Sequence, residues 1–335
     1  MYLSRVKISR NWLRIFGLVV LVVILVKLDL RRVLEIITKV DIIILAIPLC
    51  SVIPLKALHA WRWRYLLGMQ GISLSLRKSF LVYLAASYVG ALTPARAGEF
   101  IKAFYLREEK KMSLGEGFSN ILIDRLQDVS AFAIVGLIGL SLAPSGGAYL
   151  YSIMGIALLF LVTWAFLFRA ETTTKKIFGV LVRSLVPERY RSSIDTQLDS
   201  FFMGIGKLSN PRIIVPALAT AALMVIVFFQ CYLIAASLSI SISFVYLAFC
   251  VSVAGLVSLI PISISGLGTR EATMIVLFSR VGLSSESAVS FSLTYLLVFH
   301  VSSAIMGALI WFISPVGRNF LEALEKGDWS EPPKT

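Results

Sequence analysis

Arg96, Glu99 and Lys102 follow one another at three-residue spacing, and Asp124, Arg125 and Asp128 crowd into one short stretch. Much later in the chain Arg270 and Glu271 stand side by side. All lie in or next to apolar runs, where ionisable groups mark functional sites unless they sit at interface depth or pair with one another. The chemistry open to such a set is recognition of an anion by guanidinium and ammonium groups, with carboxylates holding the cations in place. Proton exchange through Glu99, Glu271 or Asp128 is the alternative role for the acids. Asp124 lies four residues before Asp128. Arg125 and Asp128, three apart, share a helical face and can pair.

Each Arg and Glu couple is delivered by a break in an apolar run. The first break is Pro94-Ala95-Arg96-Ala97-Gly98-Glu99, and the second is Pro261-Ile262-Ser263-Ile264-Ser265-Gly266-Leu267-Gly268-Thr269-Arg270-Glu271. A Glu in the first turn of the returning helix complements the helix dipole, whereas an Arg there has the wrong sign and needs an anionic partner. For Arg96 that partner is Glu99, Asp124, Asp128 or a ligand phosphate. For Arg270 it is Glu271 or a ligand, with Thr269 as the expected N-cap. Two readings of the Arg pair stand: internal ion pairs that lock the broken segments, or cations facing a central cavity. Exposed helix N-termini are compatible with both. Gly98, Gly266 and Gly268 allow tight turns and leave amide N–H groups accessible. The pair Gly266 and Gly268 lacks the strand–turn–helix context of a dinucleotide fingerprint. Ser263 and Ser265 are expected to bond the freed backbone in preference to a substrate. Lys102 either adds charge to the same face or snorkels to the surface.

The elements around these residues belong to a membrane protein. Of 335 residues 58% are hydrophobic and 15% charged, with a mean hydropathy of +0.85, against about a quarter charged in soluble domains. The net charge of +13 does not indicate nucleic acid, because the basic residues flank apolar runs. Cys50, Cys231 and Cys250 lie inside apolar runs without metal-ligand spacing, and His59 and His300 are far apart. No cofactor or metal is expected, and no nucleophile, phosphate loop or catalytic triad is present, so an enzyme is not expected. Arg5, Lys7, Arg10 and Arg14 precede an apolar run at 15–26 that lacks a cleavage site, and reads as a retained first span.

The expected fold is an all-α polytopic membrane protein with about six full spans and two antiparallel re-entrant helical hairpins in an inverted repeat. Spans are expected at 12–28, 42–59, 118–142, 149–168, 213–237 and 288–313, with an interfacial amphipathic piece at 29–39. The cluster Trp61, Arg62, Trp63, Arg64 and Tyr65 reads as an anchor at one membrane interface. The hairpins are expected at 80–106, closed by a charged turn at 107–111, and at 244–281. They lie within repeats of 42–142 and 213–313, each led by a Tyr-Leu-Ala triplet at Tyr83 and Tyr246. The whole of 1–313 is one transmembrane domain, with a cytoplasmic amphipathic linker at 169–210 and a polar tail at 314–335. The positive-inside rule places both termini in the cytoplasm and makes the hairpins enter from opposite faces.

At these residues the chain resembles the lysylphosphatidylglycerol synthase transmembrane domain family, also called flippase-like domain proteins. The matching pieces are Arg62-Trp63-Arg64, the Pro94 to Glu99 motif with Lys102, Asp124-Arg125-Leu126-Gln127-Asp128, and the Pro261 to Glu271 motif. The resemblance implies an integral protein of a prokaryotic cytoplasmic membrane that moves lipids between leaflets. No synthase domain follows the last span, so aminoacyl transfer is not expected. The primary expectation is a translocase of an anionic phospholipid or a polyprenyl-phosphate-linked lipid. Arg96, Arg270, Lys102 and the hairpin amides would bind phosphate, supported by Arg125, Asp128, Glu99 and Glu271. The alternative is a membrane enzyme or accessory subunit in polyprenyl-linked glycan or glycolipid synthesis. A homo-oligomer and a partner enzyme of lipid or glycan synthesis are both compatible with the sequence.

Overall fold

The computed structural model describes residues 30–93, 96–141, 191–260 and 266–313, with single positions at 155, 158, 162 and 263. The expected spans at 12–28 and 149–168, the first part of the linker, the polar tail, Pro94, Pro261 and Ser265 lie outside or largely outside the described residues. Among those described, every regular element is helical.

Helix α1 (Leu30–Thr38) lays Val33 against the bundle, and α2 (Ile42–Met69) follows. Asp41 caps α2, its side chain accepting from the amides of Ile43 and Ile44. The expected end of this helix near 59 is corrected: it runs ten residues further, and Arg62 and Trp63 are fully buried. They form no interface anchor. A basic and aromatic cluster resembles an anchor only while its partners are unknown, and here carboxylates of another helix neutralise Arg62.

Helix α3 (Leu76–Ala91) starts at a Ser75 cap and stops at Leu92. A short 3-10 turn (Ala97–Phe100) leads into α4 (Ile101–Lys110). The expected charged turn at 107–111 is helical as far as Lys110, with Arg107 and Lys110 in the last turn, where cations suit the helix dipole. Helix α5 (Leu114–Ser141) is 28 residues long and carries Asp124, Arg125 and Asp128. Helix α6 (Arg191–Leu208) packs along α5, burying Phe202, Ile205 and Leu208. Its apolar stripe is thus covered by protein. Such a stripe has the same period whichever apolar phase it meets.

Helix α7 (Ile214–Ser237) follows a 3-10 turn at Pro211–Ile213. Then come α8 (Phe244–Val257), α9 (Thr269–Ser279), α10 (Ser285–Tyr295), a π-helical turn (Leu296–Val301) and α11 (Ser302–Ile313). Among the described residues, three stretches are long and apolar enough to cross a membrane: Ile42–Met69, Pro211–Ser237 and Ser285–Phe312. Ile43, Phe229 and Phe312 are among the large apolar side chains left exposed on them, as expected of surfaces that meet lipid. Helix α2 packs against α3 and α7, α5 against α8, and α11 against α3. Each broken pair also packs on itself, α3 with the 3-10 turn and α4, and α8 with α9. Phe228, Cys231, Phe249, Phe278 and Phe291 form part of the largest buried core.

The two Tyr-Leu-Ala triplets are not equivalent in this fold. Tyr246 lies in the first turn of α8 and donates its hydroxyl to the Leu277 carbonyl, whereas Tyr83 lies mid-way along α3 and stacks on His59.

Candidate functional site

The charged stretch of α5 is organised by a residue from α2. Asp124 and Asp128, one turn apart, present their carboxylates to Arg62. Its Nε donates to Asp124 Oδ1 at 2.9 Å. Its Nη1 donates to Asp128 Oδ1 at 2.5 Å and to Thr220 Oγ1 at 2.8 Å, and its Nη2 to Asp128 Oδ2 at 3.1 Å. With the guanidinium wholly buried, this cluster ties α2, α5 and α7 together. Asp124 and Asp128 are therefore neutralised inside the protein, by a cation from another helix.

Glu99 is the second centre. It projects from the 3-10 turn after the first break and is buried. Arg96 Nη2 lies 2.8 Å from one carboxylate oxygen, Arg125 Nη2 contacts the other, and Lys102 Nζ is 4.0 Å away. Arg125 also reaches to 3.9 Å of Asp128, which joins the two centres. The backbone makes room for this. Arg96 takes a left-handed conformation, φ 56°. Gly98 passes so close to the Val89 carbonyl that a Cβ would overlap it. Lys102 neither snorkels nor reaches open space. Its ammonium is fully buried, 3.6 Å from Asp124, over the rings of Tyr83 and Trp63 at 4.5 and 5.2 Å.

The second break builds a smaller site. Gly268, at φ +84°, is the N-cap of α9, and Thr269, the expected cap, occupies the first helical position. Glu271 turns back so that Oε2 accepts from the Gly268 amide at 2.6 Å. Its Oε1 accepts from Arg270 Nη2 and from the Ser292 hydroxyl, both at 2.8 Å. Ser292 in turn accepts from Arg270 Nε at 2.8 Å, and the guanidinium lies 5.2 Å from the Tyr295 ring centre. Buried Ser263 pairs its hydroxyl with that of Thr269 at 3.1 Å, a side-chain partner in place of the freed backbone expected of it. The amides expected to be accessible are partly taken: Gly98 donates to Thr93 Oγ1 at 2.7 Å, and Gly268 to Glu271.

Between the two breaks lies a cavity of about 180 Å³. Arg96, Arg125, Asp128 and Arg270 reach its wall, while Glu99, Lys102 and Glu271 stand behind them. Phe132, Val227 and Met274 are among the apolar residues on the remaining wall. Three further basic residues line it: Lys56 and His59 from α2, and His300 from the π turn. Lys56 is passed over in the sequence reading, and the two histidines are set aside there as far apart. Lys56 carried a usable signal, a lysine inside an otherwise apolar span. The histidines carried none, since their approach depends on the fold. The π turn, a feature frequent at functional sites, follows Tyr295 and contains Phe299 and His300, all three on the cavity wall. Among the described residues no group of three His, Cys, Asp or Glu side chains is placed to hold a metal ion.

The family model for the lysylphosphatidylglycerol synthase TM region matches residues 12–311. The chain belongs to that family. A UPF0104 membrane protein of Methanocaldococcus jannaschii is 23% identical over 331 residues, covering 93% of this chain and 97% of the relative. A UPF0104 membrane protein of Methanothermobacter thermautotrophicus is 25% identical over 290 residues, covering 80% of this chain and 85% of the relative. With the membrane-length helices, this family membership makes the chain a multi-pass membrane protein. The Arg62, Glu99, Asp124–Asp128 and Arg270–Glu271 clusters all fall within the matched residues.

Proposed function

We propose that this family member moves an anionic lipid between the leaflets of a prokaryotic cytoplasmic membrane, without covalent chemistry, the head group passing through the cavity between the two breaks. One observation carries the proposal. Arg96, Arg125, Arg270 and Lys56 share a single cavity with Phe132, Val227 and Met274, inside a bundle with membrane-length helices. A phosphate suits the cationic part and the start of an acyl chain suits the apolar part. In this reading α3–α4 and α8–α9 are re-entrant hairpins that enter from opposite faces, as the distribution of basic residues suggests, with both termini cytoplasmic. Inverted hairpins of this kind bring a site to the bilayer midplane. Glu99, Asp128 and Glu271 hold the arginines in orientation while the cavity is free of lipid.

The volume bears on the alternative. Polyprenyl-linked glycan chemistry needs room for a sugar, and about 180 Å³ falls below the ~300–1,000 Å³ of ordinary small-molecule sites.

The test is lipid movement in reconstituted vesicles containing phosphatidylglycerol and a fluorescent analogue of it. Arg96→Ala removes a cation that is 28% exposed and so less embedded than its neighbours. Loss of a charge-assisted contact to phosphate should slow transbilayer movement at least about tenfold, with the variant eluting from size exclusion as the parent does. An unchanged rate overturns the proposal.

A further inference from the structure

Among the described residues the formal charges of this interior do not cancel. Six cations, Lys56, Arg62, Arg96, Lys102, Arg125 and Arg270, meet four carboxylates, Glu99, Asp124, Asp128 and Glu271. Two positive charges are left over, with the imidazoles uncounted. The carboxylates are unevenly distributed among the cations. Arg62 takes most of Asp124 and Asp128, Arg270 has Glu271, and Arg96 and Arg125 divide Glu99. Lys56 has neither an ion pair nor a hydrogen bond among the described residues, although it is only 8% exposed and lies on the cavity wall. Arg96 Nε, Arg125 Nε and the Nδ1 atoms of His59 and His300 are likewise buried without hydrogen-bond partners.

An unpaired charge in a membrane interior is unfavourable unless water or a counter-charge meets it. The formal excess is two, not one, and four of the six cations line a cavity too small for a large head group. A phosphodiester lipid such as phosphatidylglycerol carries one negative charge. A terminal phosphomonoester carries close to two at neutral pH and offers three acceptor oxygens. Four cations from α2, the first break, α5 and α9 surround the cavity, which suits acceptors on several sides of one phosphorus.

Resting on the reading of this cavity as a head-group site, we infer that its ligand is a lipid ending in a phosphomonoester, and that Lys56 selects it over a phosphodiester. Lys56 supplies the counter-charge that the carboxylate-bound arginines lack, on the side of the cavity formed by α2.

The experiment compares binding of dioleoyl phosphatidic acid, dioleoyl phosphatidylglycerol and inorganic phosphate to the purified full chain in detergent, by native mass spectrometry and calorimetry. The wild type should bind phosphatidic acid about tenfold more tightly than phosphatidylglycerol. Lys56→Gln should lower the affinity for phosphatidic acid by about that factor and collapse the preference, and Lys56→Arg should restore it. Equal affinities of the wild type for the two lipids overturn the phosphomonoester assignment and leave the anionic-lipid reading standing. Binding of neither lipid overturns both. Inorganic phosphate binding as tightly as phosphatidic acid overturns the lipid part of the assignment. If Lys56→Gln does not fold, the wild-type preference and the Lys56→Arg variant still decide the outcome. A preference retained in a folded Lys56→Gln variant overturns the role of Lys56.

Discussion

Around the first break, charge is spread across the fold. Glu99 meets Arg96 from its own turn and Arg125 from α5, Arg125 extends to Asp128, and Asp128 with Asp124 holds Arg62 from α2. Around the second break, charge is closed within one corner. Arg270 and Glu271 are adjacent, and Ser292, the Gly268 amide and the Tyr295 ring satisfy what remains of them. The sequence presents Arg96 and Arg270 as counterparts, and their surroundings separate them. The Arg96 side chain is 28% exposed with its Nε unbonded, while that of Arg270 is 4% exposed with its Nε bonded to Ser292. A distributed network can exchange one partner for a ligand oxygen. A closed pair serves first as a brace for the wall.

The largest expected effect comes from removing the hub of the distributed network. Arg62→Ala leaves Asp124 and Asp128 buried with little compensation, and should lower stability by at least the ~3–5 kcal/mol typical of breaking a buried pair. Thermal unfolding in detergent would measure it, and a melting curve like that of the parent would mean the hub is dispensable. Next comes a direct contrast between the two carboxylates. Glu271→Gln leaves Arg270 without its counter-charge and should destabilise by about 3 kcal/mol or more. Glu99→Gln should cost less, about 1.5–3 kcal/mol, because Arg125 retains Asp128 and Arg96 is partly solvated. Equal losses, or a larger loss for Glu99→Gln, would erase the distinction between a closed and a distributed site.

The smallest effect is expected at Lys102. Lys102→Met keeps the stem against Trp63 and Tyr83 and removes a buried ammonium whose nearest carboxylate, Asp124, still has Arg62. Exchanging a buried ion for an apolar residue of similar shape is often close to neutral, so stability should change by less than about 2 kcal/mol, the upper range of one desolvated cation–π contact. A larger loss would show that Lys102 is integral to the network and not an addition to it.

Much of the candidate site was legible because its pairings are local. Arg125 with Asp128 follows from three-residue spacing on a helix, Arg96 with Glu99 from closeness across the first break, and Arg270 with Glu271 from adjacency. The breaks near Pro94 and Pro261 were legible from the chemistry of Pro and Gly. What could not be read is long-range. Nothing along the chain links Arg62 to carboxylates more than 60 residues away. Nothing brings His59 and His300 to one cavity, or covers the apolar stripe of α6 with α5. Arg62 and Trp63 of the Trp61–Tyr65 cluster misled for the same reason, since their types suit an interface as well as an interior where the charge is paired. The capping role at α9 was assigned to Thr269 on side-chain type, yet Gly268 holds it through a backbone conformation and a returning Glu271.

By itself the sequence determined that the chain is helical, apolar and built for a membrane, and that its charges gather at two breaks. Those properties depend on how each short segment partitions between water and lipid, which is settled segment by segment. Only the tertiary structure decided which cations are neutralised and which are not. Pairing energy falls off over a few ångströms, so whether Lys56 stands alone or Arg62 is matched is a property of the assembled bundle.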